Sequence, residues 1–262
     1  VDDEFDGELE YNVSDIKSAS ELQKAIDDAT DGANTVITLG ADINDGIFPI
    51  IVPKDKVITL KLNGKNITTP EESTDRHYYA FDIKGALTIE GEGEVKARGI
   101  FNYGKLTLNG ATIDACDHNG GYAVISYNGA EFTMNSGIVK TSNENGDEPT
   151  AGSDATPIRV EAGAKATING GTITNVSNYT IALDNYGDVT INGGTFTSIG
   201  SYSLSNQAGA KMTVAEGVTV KNGIYNSSNV SLTVYGGNIS NNRSGAHTIY
   251  AYNAEVEING GT

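Results

Sequence analysis

A repeat of roughly two dozen residues, a period-two alternation of apolar and polar residues inside it, and Gly- and Asn-rich corners between the alternating runs predict an all-β solenoid. The specific expectation is a right-handed parallel β-helix of about ten coils behind a short N-terminal capping helix. A unit this short cannot bury its own apolar face, so it must stack on the units before and after it. With the first corner residue as marker, Gly64, Gly91, Gly110, Ser136, Gly170, Gly193, Glu216, Gly236 and Gly260 recur at intervals between 19 and 34 residues. A propeller blade needs about 40 residues and an immunoglobulin-like domain about 100, and neither period fits.

In chain order, residues 1–17 read as an N-terminal extension or linker, 18–34 as a capping helix and lead-in, and 35–262 as the β-helix. The parent chain is expected to continue past residue 262, because VEINGGT (256–262) stops inside a repeat. SASELQKAIDDA (18–29) carries Leu22, Ala25, Ile26 and Ala29 on one helical face, with Ser20 as candidate N-cap. A helix there would cover the open first coil, whose bare edge would otherwise invite aggregation. The corner motif then recurs as VITLGADI (36–43), LKLNGKNI (60–67), LTIEGEGEV (87–95), LTLNGATI (106–113), FTMNSGIV (132–139), ATINGGTI (166–173), VTINGGTF (189–196), MTVAEGVTV (212–220) and LTVYGGNI (232–239). In ATINGGTI, Ala166, Ile168 and Ile173 face inward while Thr167 and Thr172 face outward. A second strand signal precedes each corner, as in GIFNYGK, YAVISYNG, YTIALDNYG and HTIYAYN. Coils stacked at about 4.8 Å would make a rod on the order of 45 Å long.

Composition narrows function. With 34 acidic against 17 basic residues the net charge is −17, which repels nucleic acid and anionic membranes and argues against both as partners. No apolar run approaches the length of a membrane span. Cys116 is the only cysteine, so no intrachain disulfide exists and packing must hold the chain together.

The corner asparagines Asn63, Asn109, Asn135, Asn169, Asn192 and Asn259 resemble the internal asparagine ladder of the pectate-lyase-like right-handed β-helix superfamily. The N-terminal helix fits that likeness, and VPKDKVITLKLNGKNI (52–67) resembles the opening coils of its bacterial-surface and phage-borne members. The resemblance implies stacked side-chain amides along the axis and a left-handed backbone at each ladder residue. It specifies fold more than activity, because the superfamily includes lyases, hydrolases, tailspikes, adhesins and inert stalks.

Lyases of this fold need a carboxylate cluster holding Ca²⁺ and a basic residue, and hydrolases need two or three close carboxylates. The Asn-Thr-Asp, Gly-His-Gly and Arg-x-Lys signatures of the polygalacturonase type are absent. The remaining cluster is Asp114, Asp117 and His118 in IDACDHNGG, with Asp184 and Asp188 two to three coils along. Asp114 aligns with Thr174, Thr197 and Ser240 and should point outward. These groups are expected to be solvated turn residues; an acid/base pair or a weak Ca²⁺ site is the sharper alternative. Cys116 aligns with the inward positions Val176 and Ile199 and is expected in the core. Tyr103, Tyr127, Tyr186 and Tyr252 occupy equivalent places and could form a stripe, either packing between coils or stacking on sugar rings. His77 and His247 are expected in solvated loops.

The expected function is a non-catalytic structural or adhesive module, extracellular, on a phage virion or a bacterial cell surface. Surface glycans or an envelope or virion protein would be its partners, it would need no cofactor, and a homotrimer is one assembly open to it. The alternative is a polysaccharide lyase or glycoside hydrolase working from an acidic outer face.

Overall fold

The computed structural model describes residues 11–73, 76–116, 121–142, 155–176 and 180–262. Among these residues are 26 strands and one helix. The structure is all-β and dominated by two long sheets of 15 and nine strands, whose pairings are parallel. A small antiparallel pair, Glu71–Ser73 with Arg76–His77, stands apart from both.

In the second sheet, spatial order follows chain order: Ile50–Val52, Phe81–Ile83, Gly99–Asn102, Tyr122–Ser126, Thr156–Val160, Leu183–Asn185, Leu204–Asn206, Ile224–Asn226 and Ile249–Ala251. Between these strands the chain crosses to the larger sheet and adds a strand there, again beside its predecessor. Nine strands at about 4.8 Å spacing extend on the order of 40 Å.

Alternation sorts the side chains of the larger sheet. One inward column runs Leu60, Ile89, Leu108, Met134, Ile168, Ile191, Val214 and Val234 in strict register, and all eight are buried. One residue earlier on each strand, Thr59, Thr88, Thr107, Thr133, Thr167, Thr190, Thr213 and Thr233 form an unbroken outward column. A β-branched hydroxyl side chain suits a half-exposed pleat, and each cross-strand threonine pair contributes about 0.2–1 kcal/mol. Two residues before that column, Lys105, Glu131, Lys165, Asp188 and Lys211 alternate in sign from strand to strand. Such a column favours this register over a one-strand slip.

The chain begins with an edge strand on the larger sheet and a helix over the end of the core. The strand Tyr11–Ile16 pairs with Asn34–Leu39 at the start of the larger sheet, so the part of residues 1–17 described here is sheet rather than linker. The helix Ala19–Asp28 lays Ala19, Leu22, Ala25 and Ile26 onto the end of the core. Its N-cap is Ser18 rather than Ser20: Ser18 Oγ accepts from the Glu21 N–H at 3.2 Å, and Glu21 reaches back to the Lys17 N–H at 2.7 Å. Gln23, which stands three residues after Ser20 and could serve it in the same way, is engaged with Ile51 instead. From the helix, the Gln23 amide accepts from the Ile51 N–H at 2.7 Å and donates to the Ile51 carbonyl at 3.0 Å. It thus supplies both hydrogen bonds that a further strand would give the edge strand Ile50–Val52.

The asparagine ladder is double, and the sequence motif identifies only its outer half. Asn135 donates to Asn109, Asn169 to Asn135 and Asn192 to Asn169, each at 2.8 Å, but on the solvent side of the corner. Asn63 and Asn259 donate elsewhere, to the Leu39 carbonyl and to Glu257. Of these six only Asn63 has a left-handed backbone, with φ 56°; at the other corners that conformation falls on a following glycine such as Gly110 or Gly194. The internal ladder lies where the second sheet ends. Asn102, Asn185, Asn206 and Asn226 are fully buried; Asn185 donates to Asn206 Oδ1 at 3.0 Å and Asn206 to Asn226 Oδ1 at 3.3 Å. Each of Asn102, Asn185 and Asn206 also donates to a backbone carbonyl of the strand beyond, Glu131, Lys211 and Ser231 respectively, at 2.8–3.0 Å.

Candidate functional site

The outer face of the second sheet concentrates the aromatic side chains. Its central column is the middle outward residue of each strand: Asp82, Phe101, Ile125, Arg159, Asp184, Ser205, Tyr225 and Tyr250. A flanking column holds Tyr103, Tyr127, Glu161, Tyr186, Gln207, Ser227 and Tyr252, tied by backbone bonds from each N–H to the strand before it. The predicted tyrosines therefore share one column, but it is interrupted. Glu161 separates Tyr127 from Tyr186, and Gln207 and Ser227 separate Tyr186 from Tyr252.

Three environments result. At one end Tyr103 and Tyr127 stack with centroids 4.4 Å apart and planes within 7°, and Tyr79 stacks on Phe101 at 3.7 Å. Burial and the neighbouring Tyr103 push the Tyr127 phenol well above its ordinary value. In the middle, Arg159 lies over the rings of Tyr186 and Tyr122, 4.5 and 5.6 Å from their centroids. Its guanidinium donates to Glu161 at 2.7 Å and to Asp184 at 3.3 Å. At the other end Tyr225 and Tyr250 are parallel at 5.4 Å, while Tyr202 leans across them, tilted by 50° to Tyr225. The His247 ring lies 5.7 Å from Tyr250.

The candidate carboxylates Asp114 and Asp184 do not converge on each other. Asp114 lies on the larger sheet, in register with Lys96 and Lys140, and Asp184 on the second. Neither is a solvated turn residue: Asp114 is 2% and Asp184 8% exposed. Asp114 accepts from Ser142 Oγ at 2.6 Å and pairs with Lys140 at 3.4 Å, and Lys140 also reaches Glu94 at 3.3 Å. Burial pushes both carboxyls above the usual carboxylate range, against the opposing pull of Ser142 and Lys140 on Asp114 and of Gln207 and Arg159 on Asp184. Burial alone would lower the Lys140 pKa, but Asp114 and Glu94 outweigh it and hold the ammonium charged. Asp188 belongs to the alternating charge column, between Lys165 and Lys211. Asp117 and His118 lie outside the described residues. Among the described residues no three His, Cys, Asp or Glu side chains group as metal ligands, and no helix is long and apolar enough to cross a membrane.

Cys116 is buried, its Sγ 3.4 Å from the Ala97 carbonyl. His77 is only partly exposed, and its Nδ1 lies 2.6 Å from the Thr69 carbonyl. The sequence reading misses Tyr79, Phe101, Tyr122, Arg159, Tyr202, Tyr225 and Tyr250 as members of one face. Their signal is the residue just before, or four before, the last inward residue of each second-sheet strand, which is readable only once the pairing register is known. Compared with known proteins, the chain matches no family model, no curated protein and no solved structure.

Proposed function

We propose that this chain is a right-handed parallel β-helix of the pectate-lyase-like kind, acting as a non-catalytic adhesive module on a phage virion or a bacterial cell surface. In this reading the aromatic face of the second sheet contacts glycans. The observation that carries it is the outward column system just described. Tyrosine rings recur along one face, interleaved with amide, hydroxyl and carboxylate groups, matching the apolar ring faces and hydroxyl edges of sugars. A non-catalytic role is supported by the cation that each close carboxylate pair shares, Lys140 for Asp114 and Glu94 and Arg159 for Asp184 and Glu161, which takes the place a scissile bond would need. A glycosidase needs two carboxyls within about 5–9.5 Å across a shared bond. The net charge of −17 suits a module that stays soluble and excludes polyanions.

The test is a glycan array with the intact chain, followed by incubation of every bound polysaccharide with the protein and Ca²⁺ and mass spectrometry of the supernatant. Binding without released oligosaccharides is the expected result. Released products would replace this reading with a lyase or hydrolase, and array binding by none of the glycans would remove the adhesive role.

A further inference from the structure

The two aromatic groups on the second sheet are not equivalent. In the first, each ring has one face stacked, Tyr103 on Tyr127 and Tyr79 on Phe101, at 4.4 and 3.7 Å, while Phe101 also meets Tyr103 and Tyr127 at a tilt. In the second, Tyr202 and Tyr225 meet edge to face, 5.7 Å apart and tilted by 50°. They flank a depression of about 300 Å³, the Tyr202–Tyr225 wedge, which Thr180, Ile181, Ser201, Ser205 and Gln207 also line. Tyr225 is backed by the parallel ring of Tyr250, so its orientation is held from behind. Gln207 is held too: its amide nitrogen donates to Ser205 Oγ at 2.6 Å and to Asp184 Oδ1 at 3.3 Å, leaving Oε1 to accept from a ligand.

Resting on the glycan-binding role of this face, we infer that the Tyr202–Tyr225 wedge is its primary subsite and takes a single uncharged pyranose unit. One aromatic wall covers the apolar ring face, and Gln207 Oε1 accepts from a ring hydroxyl. Charge selects the class. The ionic set joined to the depression through Gln207, Arg159 with Glu161 and Asp184, has one more carboxylate than cation, and the chain as a whole carries −17. A uronate would meet repulsion that a neutral hexose does not. Arg243 also reaches the rim, where its Nη1 is engaged at 3.4 Å with Ser201 on an exposed position and solvent screens it.

The probes are the methyl glycosides of glucose, galactose, mannose and rhamnose, with methyl glucuronide and galacturonide as charged counterparts. Binding is read by saturation-transfer NMR and by tyrosine fluorescence, which is usable because the chain has no tryptophan. At least one neutral glycoside should bind, and Tyr225→Ala and Gln207→Ala should each weaken it tenfold or more. Tyr225→Phe, which keeps the ring, should retain most of the binding that Tyr225→Ala loses, and Tyr235→Ala, at an exposed tyrosine on the larger sheet, should leave binding within about twofold. Circular dichroism confirms the fold of each variant. Array binding that survives Tyr225→Ala but is lost in Tyr103→Ala would overturn the wedge while leaving the glycan-binding face intact. Binding of uronides alone, abolished by Arg243→Gln, would overturn the neutral class, and absence of all array binding would end both readings.

Discussion

Asn206→Ala separates the two ladders. The Asn206 side chain is fully buried and makes three hydrogen bonds: it accepts from Asn185 at 3.0 Å and donates to the Ser231 carbonyl at 3.0 Å and to Asn226 Oδ1 at 3.3 Å. A buried hydrogen bond contributes about 1 kcal/mol net, and partners left without water cost more, so the loss should be about 3 kcal/mol. For a chain of this size that corresponds to about 6–12 °C in Tm. Asn169→Ala in the outer ladder also deletes two bonds, each 2.8 Å long. Water replaces them at an exposed corner, so the cost should stay below about 1 kcal/mol. Both variants would be unfolded in urea and by heat, with circular dichroism near 218 nm as the readout, after checking that transitions by two probes coincide, since a stacked repeat can lose cooperativity. Equal destabilisation by the two variants, or a larger cost at Asn169, would refute the claim that burial decides which ladder holds the molecule together.

Two glycines, Gly99 in the second sheet and Gly64 at a corner of the larger one, are expected to differ as sharply. A Cβ at Gly99 would lie 1.4 Å from the Tyr122 carbonyl oxygen, whereas at Gly64 it meets nothing within 4 Å and only the φ of +73° opposes it. Gly99→Ala should therefore prevent folding, read as insoluble expression, while Gly64→Ala should cost about 1 kcal/mol. Lys165→Glu places a like charge directly opposite Glu131 and Asp188; a loss of about 1 kcal/mol that shrinks in high salt is expected from paired melts. For Asp114 and Asp184, the folded carboxyls sit above their ordinary pKa because burial disfavours the charge. The folded chain then binds more protons than the unfolded one between the ordinary and the raised value, so these groups reduce stability as pH rises through that window. The Tm difference of Asp114→Asn or Asp184→Asn over wild type should grow as pH climbs from about 4 toward neutrality; a difference that is flat or shrinks would contradict the assignment of burial as the dominant cause.

The repeat itself determined much. Alternation in ATINGGTI was enough to assign Ala166, Ile168 and Ile173 inward and Thr167 and Thr172 outward, because a strand has only two faces and one must be apolar. The alignment of Asp114 with Thr174, Thr197 and Ser240 likewise holds in the pairing register. What sequence could not supply was depth along an outward direction. Asp114 points away from the core and is still 2% exposed, because Ser142 and Lys140 from the next strand close over it. The conspicuous Asn-Gly corners drew the ladder to the wrong side for the same reason: a motif shows which residues recur, and only the turn of the backbone shows which of them face inward. The buried asparagines are followed by Tyr-Gly, Gln-Ala and Ser-Ser, and Ser126 and Val160 interrupt their column, so no single motif marks them. The aromatic face was equally hidden. Tyr202 and Tyr225 lie 23 residues apart in sequence and 5.7 Å apart in space, and whether two rings stack or meet edge to face is set by packing geometry that no linear pattern encodes.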